Sequence, residues 1–390
     1  MKKQNFLHKG WAYRSVSIML IFALIAGCFS ACGTAAPQAS AAESAAKADA
    51  VQKYLETGEI TDQPVTLRWL HRFPSEEEAA YFQSLADEYT QMHPNVTFQI
   101  DTASDDAMKE KLRVMVGGGD VPDIYYSWSG EFAAKFVRAG VAVDLTAYQE
   151  ADPEWKSSIS EVYWDDGDVD GADYGVPFRF TGGAMMYNKG IFQELGLSEP
   201  TTWGEFENVC QKLLDAGYTP MMYGNAQPWI SAWWFTALFE QMVPQDIRET
   251  DYNADTGEWT DEGYVKALAL MQEMQNKGYL NDNINSMTDD QATEMFAAGM
   301  GGMFYTGLYN FDPMDEKMGS ENWDWFPFPS LEDAVGRTNT VVGASDLFIV
   351  SSQSEHPEVA VDFLKFLTSK ENQTRLPAET WLTPVVEGSS

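Results

Sequence analysis

Val65-Thr66-Leu67-Arg68-Trp69-Leu70 opens the passage that decides the fold. It is an apolar-rich strand candidate, and Glu76 to Met92 follows with Ala79, Phe82, Leu85, Ala86 and Tyr89 at helical spacing. His93-Pro94-Asn95 ends that helix, after which Val96-Thr97-Phe98-Gln99-Ile100 alternates like a second strand. A further helix from Asp106 to Val116 stops at Gly117-Gly118-Gly119, and Pro122-Asp123-Ile124-Tyr125-Tyr126 supplies a third strand. The β-α-β-α-β order predicts an α/β fold with parallel strands and helices on the sheet faces. Ligands of such sheets lie beyond the carboxyl ends of the strands, so the loops after Leu70 and Tyr126 are expected to face a cleft.

Upstream, Lys2, Lys3, Lys9 and Arg14 precede an apolar stretch, Val16 to Ile25, of about ten residues. A membrane span needs roughly 20. Residues 1–27 therefore read as a cleaved leader. Leu24-Ile25-Ala26-Gly27-Cys28 resembles a bacterial lipobox, in which the cysteine thiol takes a diacylglycerol. Cys32 is a rival acceptor, with Phe29 where the pattern prefers an aliphatic residue. Two acyl chains give a stable anchor where one binds only marginally. Residues 28–63 are rich in Ala, Ser, Gln and Glu and read as a flexible tether, although Ala41 to Leu55 has helical propensity. The body starts near Pro64 and exceeds one ordinary domain core, so two lobes are expected.

The chain carries a formal charge of −34, and loss of the four leader cations makes it more acidic still. That charge argues against nucleic acid and against direct adsorption to anionic lipid. Of three cysteines, only Cys210 lies in the body, which excludes an internal disulfide framework there. Its place in a helical pattern predicts a buried thiol.

Further motifs follow in order: Gly117 to Ile124, Ala139 to Thr146, Tyr174-Gly175-Val176-Pro177, Tyr187-Asn188-Lys189 with Phe192, and Pro200 to Phe206. They continue through Phe296-Ala297-Ala298-Gly299 and Gly307-Leu308-Tyr309 to Ala360 through Leu367. The ordered set resembles the family 1 extracellular solute-binding proteins, the sugar-binding lipoproteins of ABC importers. The resemblance implies a two-lobed periplasmic-binding-protein-like fold of the class II type, with hinge strands and an interlobe cleft. By analogy one lobe comprises residues 64–176 and 327–377, and the other 177–326 and 378–390, with crossings near Val176-Pro177 and Phe326-Pro327. Relatives continue beyond the segment matching Trp381 to Pro384, so the second lobe is expected to be truncated.

Sugar rings offer apolar C–H faces edged by hydroxyls, and a site for them needs aromatic platforms with fixed hydrogen-bonding groups. Thirteen Trp and seventeen Tyr supply the raw material. Trp128 follows the third strand and matches a place where relatives put a sugar-contacting aromatic; lobe packing is its alternative, and Glu131 is a further candidate. Gln227-Pro228-Trp229 resembles a segment that brings a polar residue and an aromatic to the cleft, whereas Trp233 or Trp234 reads as buried helix. Tyr309 stands where the family commonly has Trp. Arg179 and Thr181 fall where relatives place polar ligands, and Ser345 lies in Gly343-Ala344-Ser345-Asp346, a loop of small residues.

Arg72 and Ser75 follow the first strand. Ser75 with Glu78 equally fits a helix capping box. Arg72 suits a bidentate hydroxyl or carboxylate contact, and if Arg72 and Arg179 both line the cleft, an acidic sugar is expected. Asp166-Gly167-Asp168-Val169-Asp170-Gly171 fits the first half of a calcium loop, but Pro177 occupies the position of its closing Glu. The four histidines are scattered, and no nucleophile elbow or phosphate loop appears. The expectation is therefore a non-enzymatic, monomeric carbohydrate binder with no cofactor, no metal and no nucleic acid. It would work with ABC permease subunits at the outer membrane face of a Gram-positive cell, held to the lipid membrane by its acyl anchor. A secreted carbohydrate-active hydrolase is the alternative, since two carboxylates among 59 acids suffice for an acid/nucleophile pair.

Overall fold

The computed structural model describes residues 41–389; the leader, Cys28 and Cys32 lie outside them. The chain divides between Ala46 and Lys47 into two units. The second unit holds the main sheet. Its strands β1 (Val65–His71), β2 (Val96–Thr102) and β3 (Ile124–Trp128) pair in parallel, in the order β2-β1-β3. The helix Glu76–Met92 starts where the sequence pattern places it, because Ser75 accepts a hydrogen bond from the Glu78 N–H. Its face of Tyr81, Phe82, Leu85, Ala86 and Tyr89 is buried. β3 begins two residues later than its apolar pattern suggests. Pro122 has no N–H to give a ladder, and the Asp123 carboxylate accepts from the Arg68 N–H at 2.8 Å.

β4 (Asp168–Val169) and β5 (Ala172–Asp173) form a hairpin whose corner residues Asp170 and Gly171 have φ of 57° and 86°. Two positive φ values suit a two-residue hairpin turn. The half calcium loop is thus a hairpin, with Asp166 accepting from the Ser345 N–H and Asp168 from the Gly171 N–H.

β6 (Gly175–Asn188) joins everything. With β7 (Thr219–Met222), β8 (Gly301–Gly307), β9 (Trp323–Phe326) and β10 (Gly343–Val350) it completes a sheet of order β2-β1-β3-β10-β6-β8-β7, while β9 also pairs with β6. Gly175 to Gly182 of β6 pair with β10, and Gly183 to Tyr187 pair with β8. Side chains change hydrophobic cluster along the same strand. Val176 and Phe178 lie in a first cluster with Trp69, Phe82 and Phe348. Met185 lies in a second with Phe206, Trp234 and Tyr305, and Met186, on the opposite face, in a third with Met222 and Phe304.

Three sequence expectations meet a different arrangement. The strand does not leave the first cluster at Val176-Pro177: a β-bulge at Pro177-Phe178, opposite Leu347, absorbs the proline's missing donor, and partners change only at Gly182/Gly183. Leu382, Val385 and Val386 pack in the first cluster, not with the second-lobe residues, and the Phe180 N–H donates to the Thr383 carbonyl at 2.9 Å. Finally, the tether ends earlier than residue 63. In the helix Ala41–Thr57, the part from Lys47 onward belongs to the body: Tyr54 is buried in the first cluster and donates to Asp362 at 2.9 Å. Asn95 then fixes the carbonyls of Thr61 and Gln63. Tyr54→Phe keeps the ring and removes a hydrogen bond to a carboxylate, so urea denaturation is expected to show a loss of about 1.5 kcal/mol.

Candidate functional site

The sheet register assembles the first half of the site. Asp346 of β10 pairs with Trp128 at the end of β3 on one side and with Arg179 of β6 on the other. β1 runs parallel to β3, so Arg72, just past its end, reaches the same row. Asp346 and Arg179 are 2% and 3% exposed, and the Arg179 Nε donates to the Asp346 carboxylate. Arg72 donates to Asp105 at 2.6 Å, to the Tyr126 hydroxyl at 2.8 Å and to Asp346 at 3.4 Å, with its plane near Phe73, Tyr126 and Trp128. Burial alone would raise the Asp346 carboxyl, but Arg179 and Arg72 hold it below its ordinary value. His71 beneath them is pushed down to about 3 by burial and stays neutral.

These partners overturn the acidic-sugar expectation. Each guanidinium is already matched by a carboxylate, so neither is a free cation for a uronate. Trp128 remains half-buried, with its ring edge-on to Tyr126 and Phe132 at 4.8 Å and Lys109 at 5.4 Å from its centroid. Ser345 is buried beside it along β10, and Thr181, opposite Ala344, keeps a buried hydroxyl with no partner.

Two candidates fall away from this row. Ser75 is exposed and exchanges hydrogen bonds with Glu78, which is the capping role. Glu131 is exposed and turned to Arg138 of its own helix.

β8 builds the second half. Gly183 and Gly307 face each other, and any Cβ on Gly183 would fall 2.3 Å from the Tyr305 hydroxyl, which is buried without a partner. The Tyr309 ring lies against Gly307, where a Cβ would meet it at 2.1 Å, and its hydroxyl donates to Asp289 at 3.0 Å. Asn310 donates to the same oxygen at 3.4 Å. The other Asp289 oxygen is buried and unpartnered, and burial pushes its carboxyl up to about 6 against the pull of Tyr309 and Asn310. The loop ahead of Trp229 lies on this helix start: a Cβ on Gly224 would sit 2.2 Å from the Thr288 carbonyl, and the Ala226 N–H donates to the Met287 carbonyl. Gln227 brings a buried, unpartnered amide oxygen, and the Trp229 ring stands 6.4 Å from Tyr309. Trp234 is fully buried below, as the helix pattern suggests, while Trp233 is half-buried.

Asp289 and Tyr305 are absent from the sequence reading. Thr288 and Gln291 make a capping box, so Asp289 looks like an ordinary acid in a first helical turn. Only tertiary packing turns it toward Tyr309. Tyr305, inside an apolar strand, gives no signal beyond core.

Residues 73–374 match the model of the bacterial extracellular solute-binding protein family. An uncharacterized lipoprotein of Streptomyces antibioticus is 24% identical over 337 residues, covering 84% of this chain and 72% of its own. A multiple sugar-binding protein of Streptococcus mutans is 21% identical over 315 residues, 79% of this chain and 72% of that one. The solved structure of a chitin oligosaccharide binding protein superposes with a TM-score of 0.73 at 21% identity, covering 85% of this chain and 83% of that chain. The architecture is thus the two-lobed α/β fold of such receptors. Matched over most of its length, the chain belongs to the bacterial extracellular solute-binding protein family.

Proposed function

We propose that this protein is an extracellular, lipid-anchored receptor that captures a carbohydrate between two lobes and hands it to an ABC importer, without chemistry of its own. The observation that carries the reading is the pairing of two aromatic half-sites along one strand. Trp128 lies on one side of β6 and Trp229 with Tyr309 on the other, among buried polar atoms that lack partners. Flat rings with unsatisfied hydrogen-bonding groups around them are what a sugar needs. Family membership supports the reading, as do the sugar-binding relative and the oligosaccharide-binding neighbour.

The lobes follow the hydrophobic clusters: residues 47–182 with 343–389, and residues 183–342, joined where β6 exchanges partners. A ligand touching both favours the closed form by its differential affinity for that state. Cys28 carries the acyl anchor, with Cys32 as the competitor, on the outer face of a Gram-positive cell membrane. The protein acts as a monomer beside permease subunits.

Calorimetry with a panel of oligosaccharides tests this. Trp229→Ala is expected to weaken binding of the best ligand by about 2 kcal/mol, roughly thirtyfold, with little change in melting temperature. Labelled oligosaccharide is expected back intact after incubation; turnover would favour a hydrolase instead.

A further inference from the structure

We infer that Asp289 makes this site selective for a carbohydrate bearing a protonated amine, a free amino sugar, over its neutral and acidic counterparts. The inference rests on the receptor reading above and names the ligand class of the same site. It starts from an asymmetry of charge. The cations around Trp128 already have carboxylates: Arg72 has Asp105 and Asp346, Arg179 has Asp346, and Lys109 has Asp106. The converse does not hold. Asp289 is 6% exposed, and among the described residues no Lys, Arg or His pairs with it.

The groups that face Asp289 bear out the imbalance. From the turn Leu308–Asn310 come the Tyr309 hydroxyl and the Asn310 amide, both on one carboxylate oxygen; from its own helix comes only another acid, Asp290. The loop bearing Gln227 adds a neutral amide whose unpartnered atom is an acceptor. Two buried acceptor oxygens, one of them the second oxygen of the Asp289 carboxylate and the other that of Gln227, thus lie on the elements around Tyr309 and Trp229 without a donor. A buried acceptor left unmade is costly, and a donor with positive charge compensates a carboxylate better than a hydroxyl does. A uronate would bring a second negative charge to the same place.

The test uses the full chain and trisaccharide pairs that differ only in carrying an amine or a hydroxyl at carbon 2, in the gluco and galacto series, with a uronate trimer as the acidic arm. At pH 7 the amino member of a binding pair is expected to bind at least tenfold more tightly than its neutral twin, and the uronate most weakly. Asp289→Asn is expected to erase the preference, the amino and neutral members of each pair then binding within about threefold of one another. In the unaltered protein the preference is also expected to shrink as pH falls from 7 to 5. An amine favours the ionised carboxylate, and that carboxylate, pushed up to about 6, takes a proton across this window. This arm holds even where the variant does not fold. Equal affinity within the pairs, a preference that survives Asp289→Asn, or a preference flat from pH 7 to 5 overturns the inference but leaves a sugar receptor standing. Binding of no carbohydrate, neutral or charged, overturns the receptor reading itself.

Discussion

Asp346→Ala is expected to remove about 3–5 kcal/mol of folding stability, because it leaves two guanidiniums facing a buried space that one carboxylate now satisfies. Arg179 and Asp346 are almost fully enclosed, and Arg72 is mostly so. Water has little access to replace the lost partner. Asp105 still pairs with Arg72, so Arg179 bears most of the damage. Urea denaturation measures the loss; a change below about 1 kcal/mol would mean that Arg179 finds water or another acceptor. The pH dependence follows from the same geometry. The folded-state pKa of Asp346 is depressed, so its stabilisation is fully present above the unfolded value of about 3.9 and is lost as pH falls through the lower folded value. The gap between the native protein and Asp346→Asn is therefore expected to narrow only below about pH 4.

Trp234→Ala is expected to destabilise by about 3–5 kcal/mol, the range for emptying a large aromatic site in a packed core. Trp234 is fully buried, edge-on to Tyr305 at 5.1 Å and to Phe328 at 5.5 Å, with Tyr223 at 6.1 Å. Its loss leaves Tyr305 without a wall, and the Tyr305 hydroxyl lies under Gly183, at the point where β6 changes partners. Saccharide affinity is accordingly expected to fall together with stability, whereas Trp229→Ala moves affinity with little effect on stability. Thermal melts and calorimetry on both variants separate the two roles. Unchanged stability in Trp234→Ala would show that the neighbouring rings collapse into the space.

The opening passage of the body was legible because its periods are clean. Helix Glu76–Met92 carries its cap and its stop in local sequence, and β1 and β2 carry dense apolar faces. β6 was not legible as one element. Pro177 and Gly182-Gly183 look like breakers, and the sequence reading splits the strand into two unrelated motifs. The breakers are tolerated for tertiary reasons: the bulge at Pro177-Phe178, opposite Leu347 of β10, answers the proline, and close approach of Tyr305 requires the glycine. The candidate site divides in the same way. Trp128, Trp229 and Tyr309 are candidates through the family resemblance, Trp128 also because it follows a parallel strand. The neutralisation of Arg72 and Arg179 depends on Asp346 and Asp105 arriving from distant parts of the chain, and the aim of Asp289 depends on Tyr309. No local pattern records such meetings.

The strand Gly175–Asn188 also has a consequence for how the molecule falls apart. Its first half completes the ladder that ends at β10, and its second half lies between β8 and β9. Melting either half would leave bare backbone edges on the other, so the two sides of the strand are expected to melt together. The protein is therefore expected to give one cooperative transition in a calorimeter, and a fragment carrying a single lobe is expected to have an open edge and a tendency to pair with its own copies.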